Sequence, residues 1–118
     1  MPSTDEILEL VLSTLDDAKG KQIKIINVFG KSSVTDYMII TTGTSSTHIK
    51  ALATHVMTAV KEQGVQPLGI EGKQDKEWVL VDLGDIIIHL MLAQTREFYQ
   101  LEKIWEPDFE LADIPESA

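Results

Sequence analysis

Glu77-Trp78-Val79-Leu80-Val81-Asp82-Leu83-Gly84-Asp85-Ile86-Ile87-Ile88-His89-Leu90 carries the strongest structural pattern in this chain. It consists of two β-branched runs with a period of two, joined by a Gly-containing turn, which is the pattern of a β-hairpin. With Leu83 and Gly84 as a two-residue loop, the expected cross-strand pairs are Asp82 with Asp85, Leu80 with Ile87, and Trp78 with His89. One face of this hairpin then carries only Val79, Val81, Ile86 and Ile88, as a strand pair packed under helices requires. The opposite face combines a Trp, two aliphatics, two carboxylates and a His. That mixture suits a protein-binding surface better than a core.

Outward from the hairpin, the 118 residues bound the problem. The chain is long enough for one domain with a single core and too short for two. Its 43% hydrophobic and 25% charged residues are those of an ordinary globular protein, and no apolar run approaches the roughly twenty residues of a membrane span. Pro2-Ser3-Thr4-Asp5-Glu6 lacks a basic, signal-like opening, and there is no cysteine, so the cytoplasm is the expected compartment. A formal charge of −9 argues against nonspecific binding to nucleic-acid phosphates and favours a basic protein partner, or simply solubility.

Ser3 and Glu6 have capping-box spacing ahead of Ile7, Leu8, Leu10, Val11 and Leu15, which predicts a first amphipathic helix ending near Gly20. Ile23 to Val28 and Tyr37 to Thr42 read as strands, with Gly30-Lys31-Ser32-Ser33 as a loop between them. Gly43-Thr44-Ser45-Ser46 supplies caps for a helix with Ile49, Leu52, Ala53, Val56, Ala59 and Val60 on one face, ending near Gly64. Pro67 to Glu71 is a short strand, and Gly72 to Lys76 turns the chain into the hairpin. Thr95 is expected to cap a last helix through Phe98, Tyr99, Leu101, Ile104 and Trp105, stopped by Glu106-Pro107. The fold class is therefore α/β, a single domain with a mixed five-stranded sheet and helices mainly on one face. The segment from 37 to 71 is expected to form a right-handed crossover between parallel strands. The folded domain is expected to span residues 1–107, and residues 108–118 are expected to form an acidic, flexible tail.

Chemistry is sparse. The Gly43 to Ser46 turn lies between strand and helix, where backbone N–H groups could hold a phosphate, yet no GxxxxGK[ST] or GxGxxG pattern is present and capping accounts for those residues. A nucleotidyltransferase would need two carboxylates alternating on the following strand to hold Mg²⁺, and Gly69-Ile70-Glu71-Gly72 offers one. Asp82 and Asp85 flank a solvated turn with nothing to separate their acidities. They read as turn carboxylates or as partners for a basic group rather than an acid/base pair. His48 and His55 are seven residues apart, too distant along a helix to share a metal. No cofactor, metal or catalytic set is assigned. Phe98, Leu101 and Trp105 form a helical stripe that could be core. The alternative is that Tyr99 and Trp105 join Trp78 in a patch rimmed by Asp82, Asp85 and Glu102.

Five segments together carry a resemblance: Lys31-Ser32-Ser33-Val34-Thr35-Asp36-Tyr37, Gly43-Thr44-Ser45-Ser46, Gly69-Ile70-Glu71-Gly72, Trp78 to Asp85, and Phe98-Tyr99-Gln100-Leu101-Glu102-Lys103-Ile104-Trp105. In that order they resemble the ribosomal silencing factors, the Iojap family, over residues 5 to 105. The resemblance implies a nucleotidyltransferase-like topology without enzyme activity. It also implies a cytoplasmic factor that binds the large ribosomal subunit through large-subunit ribosomal protein fourteen. Occupying that face would block joining of the small subunit and repress translation under nutrient limitation. It implies a homodimer when free. On this reading Trp78 and Leu80 pack on apolar surface of the ribosomal protein. Asp82, Asp85 and Glu102 face its basic groups, Tyr99 and Lys103 edge the contact, and His89 belongs to the same face. The alternatives are a large-subunit assembly factor using the same surface, and a nucleotide-binding nucleotidyltransferase relative.

Overall fold

The Ser3 hydroxyl accepts from the Glu6 N–H and the Glu6 carboxylate accepts from the Ser3 N–H, closing the capping box that starts the first helix. That helix, α1 (Thr4–Asp17), points Ile7, Val11 and Leu15 into the core, the positions its 3.6-residue period selects. The structure is a computed structural model that describes residues 3–28, 35–72 and 77–99, with Tyr99 described in its backbone only. The loop expected near Lys31, the polar turn at 73–76, Glu102, Lys103, the end of the last helix and the tail at 108–118 lie outside the described residues.

After α1 come β1 (Lys21–Asn27), β2 (Tyr37–Gly43), α2 (Ser46–Glu62), β3 (Gly69–Glu71), β4 (Trp78–Asp82), β5 (Ile86–Leu92) and α3 (Ala93–Tyr99). The five strands form one mixed sheet in the order β1-β2-β5-β4-β3. Its centre is the parallel pair β2 and β5, with Ile39 opposite Ile88 and Ile40 opposite His89, and every other neighbouring pair is antiparallel. The expectation of parallel strands on either side of α2 holds in direction, because β3 runs the same way as β2. The two are not neighbours, however. The chain passes over β5 and β4 to reach the far edge, since β5 with its seven residues makes a longer ladder with β2 than the three residues of β3 allow.

Helices α1 and α2 cover one face of the sheet. Ile49, Leu52, Ala53, Val56 and Val60 of α2 meet Ile39, Val79, Val81, Ile86, Ile88 and Leu90 below them in one continuous core. Each of the Val, Leu and Ile side chains, when fully buried, contributes about 1.5–3 kcal/mol, so this layer is a large part of the stability. The four hairpin residues assigned to the core by alternation are all buried to 1% exposure or less. On the opposite face Ile26, Val28, Met38 and Ile40 form a second, smaller cluster.

The last helix starts earlier than its expected cap. β5 runs straight into Ala93, and Thr95 lies inside α3 with its side chain buried, not at the N-terminus. The neighbouring Arg96 is also buried, and its guanidinium donates to the Gln22 carbonyl at 2.5 Å and to the Thr42 hydroxyl at 3.1 Å. Gln22 sits at a bulge in β1 with φ +48°, and Thr41 takes the adjacent Lys21 carbonyl at 2.9 Å. The carbonyls displaced from the ladder by the bulge are thus satisfied by side chains of β2 and α3.

Candidate functional site

The turn between β4 and β5 differs by one residue from the sequence expectation. Its central residues are Gly84 and Asp85, with the Leu83 N–H donating to the Ile86 carbonyl at 2.9 Å. Gly84 has φ +91°, and a two-residue hairpin with glycine at the first central position matches the right-handed twist of its strands. Placing Leu83 in the loop would have removed a side chain that packs against the core. The correct pairs are therefore Trp78 with Met91, Leu80 with His89, and Asp82 with Ile87. Moving the loop by one residue shifts the pairing by two, and an even shift leaves every side chain on the face assigned to it. Trp78, Leu80, Asp82, Ile87 and His89 do share one face.

Side-chain and backbone bonds hold the tip of this hairpin. Asp82 Oδ1 accepts from the Gly84 N–H at 2.8 Å, and the Asp82 carbonyl accepts from the Leu68 N–H at 2.8 Å. The Asp85 carbonyl accepts from both Asp36 and Tyr37 N–H groups at 3.0 Å, joining the tip to the start of β2. The Asp85 carboxylate, on an exposed residue, accepts from the Thr4 hydroxyl at 3.1 Å across 81 residues of chain. Both carboxylates at the tip are thus held by the protein's own donors, Asp82 on a half-buried residue and Asp85 on an exposed one.

Along the strands the face becomes apolar. Trp78 and His89 are diagonal neighbours in the true register, and the Trp78 indole Nε1–H donates to His89 Nδ1 at 3.0 Å. Their ring centroids are 5.7 Å apart with the planes tilted by 52°. His89 is 6% exposed, and burial lowers its pKa from 6.5 to about 4. It is therefore neutral near pH 7, with Nδ1 free of a proton and able to accept. Trp78, Leu80, Asp82 and Ile87 are half-buried, so the reachable surface is an indole, two aliphatic side chains and the carboxylates of the tip.

Of the residues assigned to the site from sequence, the structure thus brings together Trp78, Leu80, Asp82, Asp85 and His89, and it sets His89 beneath the surface. Tyr99 ends α3, with its side chain outside the described residues, as are Glu102 and Lys103. Phe98 on α3 is 80% exposed, so it does not belong to a core stripe. Sequence reasoning missed Thr4, which no local pattern connects to Asp85, and Ile87 as the partner of Asp82, which the corrected register supplies.

The turn at Gly43 to Ser46 is occupied by the protein's own groups. Ser45 caps α2 by accepting from the His48 N–H at 3.1 Å, and the Thr44 N–H donates to His48 Nδ1 at 2.9 Å. His48 Nε2 in turn donates to the Ala18 carbonyl at 2.8 Å, which ties the end of α1 to the start of α2. A backbone donor that a phosphate would need is already used. Among the described residues no group of three or more His, Asp or Glu side chains is placed to hold a metal, and no helix is long and apolar enough to cross a membrane.

Residues 1–118 match the family described as "Ribosomal silencing factor during starvation". The ribosomal silencing factor of Haemophilus influenzae is 48% identical over 99 residues, covering 84% of this chain and 97% of that protein. A mouse protein named "Mitochondrial assembly of ribosomal large subunit protein 1" is 36% identical over 101 residues, covering 83% of this chain and 44% of the mouse protein. A crystal structure of a protein from Chromobacterium violaceum superimposes with a TM-score of 0.86 at 39% identity, covering 93% of this chain and 94% of that one.

Proposed function

The chain belongs to the ribosomal silencing factor family, and from that premise we propose that it binds the large ribosomal subunit through ribosomal protein fourteen and sterically prevents the small subunit from joining. Translation is repressed in this way when nutrients are scarce. The observation that carries the reading is the hairpin face itself, where a half-buried indole and two aliphatic side chains lie beside two carboxylates at a tip anchored to α1 and β2. Trp78, Leu80 and Ile87 provide the apolar contact, and Asp82 and Asp85 set its register against basic groups, a division of roles common at protein interfaces. His89 supports the face from below. Tyr99 at the end of α3, with Glu102 and Lys103, edges the contact. The protein works in the cytoplasm, and when free it is a homodimer that covers part of the same apolar face.

Light scattering of subunit joining tests the proposal. Purified protein added to large subunits before small subunits is expected to lower the amplitude of joining in proportion to the large subunits occupied. Unchanged joining at full occupancy would refute the steric mechanism. The mouse relative's name favours a second reading, in which the same surface recognises large subunits during their assembly. That reading predicts an altered large-subunit maturation profile with mature-subunit joining left intact. A nucleotidyltransferase role has less support, because the Thr44 N–H is used by His48. Calorimetry with ATP or GTP and Mg²⁺ is expected to be silent, and specific binding would restore the enzyme reading.

A further inference from the structure

An indole has one polar group, its Nε1–H, which can only donate. In Trp78 that group is bonded to His89 Nδ1 on the same face of the sheet at 3.0 Å, although the ring itself is half-buried on a face proposed above for docking. His89 is fixed in turn. It stands opposite Leu80 on β4 and beside Ile40 on β2, at 6% exposure. Its low exposure, together with the lowered pKa, keeps the ring in the neutral form that accepts at Nδ1.

Building on the ribosome-binding reading, we infer that His89 is a positioning residue for Trp78. By taking the indole N–H it locks the ring orientation, so that the ring offers a partner no N–H. The chemistry of the partner group follows. It is an aliphatic side chain or a guanidinium stacked on the ring, since a carbonyl or carboxylate aimed at Trp78 would find no donor there. A locked ring also loses less rotamer freedom on binding than a free one, so part of the affinity is set before contact. His89 does this without touching the partner.

A double-mutant cycle on the full chain, with binding to purified large subunits as readout, tests the inference. His89→Phe keeps a ring and removes the acceptor, Trp78→Phe removes the donor, and His89→Gln restores an acceptor in the original position. His89→Phe alone is expected to weaken binding roughly tenfold, the size of one hydrogen bond's net effect. His89→Gln should recover most of that loss. In the Trp78→Phe background, His89→Phe should have almost no further effect, because the bond it would break is already absent. Equal losses in both backgrounds would overturn the inference and show that His89 acts on the partner independently of Trp78.

Two controls keep the outcomes distinct. In ¹⁵N-labelled wild-type protein, the indole N–H resonance that disappears in Trp78→Phe should exchange with solvent at least roughly tenfold more slowly than in the denatured chain. Exchange as fast as in the denatured chain would overturn the inference without any His89 variant having to fold. Wild-type protein that fails to bind large subunits at all would refute the docking reading on which the partner's chemistry depends, while a protected indole would still establish the lock on Trp78.

Discussion

Acidification should destabilise this protein through His89 in a way that can be calculated. The imidazole has a pKa of about 4 in the folded chain and the ordinary 6.5 once unfolded. Between those values the unfolded state binds a proton that the folded state refuses, so stability is fully present above pH 6.5 and falls as the pH drops toward 4. Each unit of pKa difference is worth about 1.4 kcal/mol, so lowering the pH from 7 to 4.5 should remove about 2.5 kcal/mol through this one group. For a domain whose whole stability is about 5–15 kcal/mol, that is a large fraction. Carboxylates also titrate in this range, so the quantity to measure is a difference. Urea unfolding of the wild type and of His89→Gln at pH 7 and pH 4.5 gives two losses, and the wild type's should be larger by about 2 kcal/mol or more. Trp78 donates to the Gln as it does to the His, so the hydrogen bond cancels from the comparison. Equal losses would show that the folded His89 protonates as readily as the unfolded one, and the reading of a neutral, desolvated imidazole beneath Trp78 would fall.

Asp85→Lys should weaken binding to large subunits and flatten its salt dependence, because an exposed tip carboxylate steers association with a basic partner; titrations at 50 and 300 mM salt check this, and an unchanged slope would remove Asp85 from the contact. Ser3→Ala breaks the capping box of α1 and should cost about 1 kcal/mol in urea unfolding with binding unaltered. Arg96→Met strands the Gln22 carbonyl at the β1 bulge and the Thr42 hydroxyl, so a loss of about 2 kcal/mol or more is expected; hydrogen exchange should locate the loosening in β1 and α3.

What was legible in the sequence was local or periodic. Ser3 and Glu6 announce α1, the Ile49 to Val60 stripe announces α2, and strict alternation assigns Val79, Val81, Ile86 and Ile88 to the core. The mixed face of the hairpin survived a mistaken turn because the resulting error in pairing was an even number of residues. The turn differs because alternation alone leaves Gly84 at the second loop position, whereas at φ +91° it occupies the first. Less local features were not legible. Nothing near Tyr37 or Ile86 declares that β2 and β5 will pair in parallel at the centre of the sheet. The Thr4 contact to Asp85 joins residues 81 apart in the chain, and the bulge at Gln22 and the Arg96 that caps its carbonyl are 74 apart, with no local pattern linking them. The burial of His89 is not legible either, because alternation gives the face of a residue and not its depth.

The docking face is tested most directly by sedimenting the purified protein with isolated large subunits, isolated small subunits and joined ribosomes, in parallel with Trp78→Ala. Co-sedimentation is expected with free large subunits alone, weakened by about 2 kcal/mol or more in a folded Trp78→Ala variant. Association with small subunits or joined ribosomes, or wild-type affinity in that variant, would contradict it.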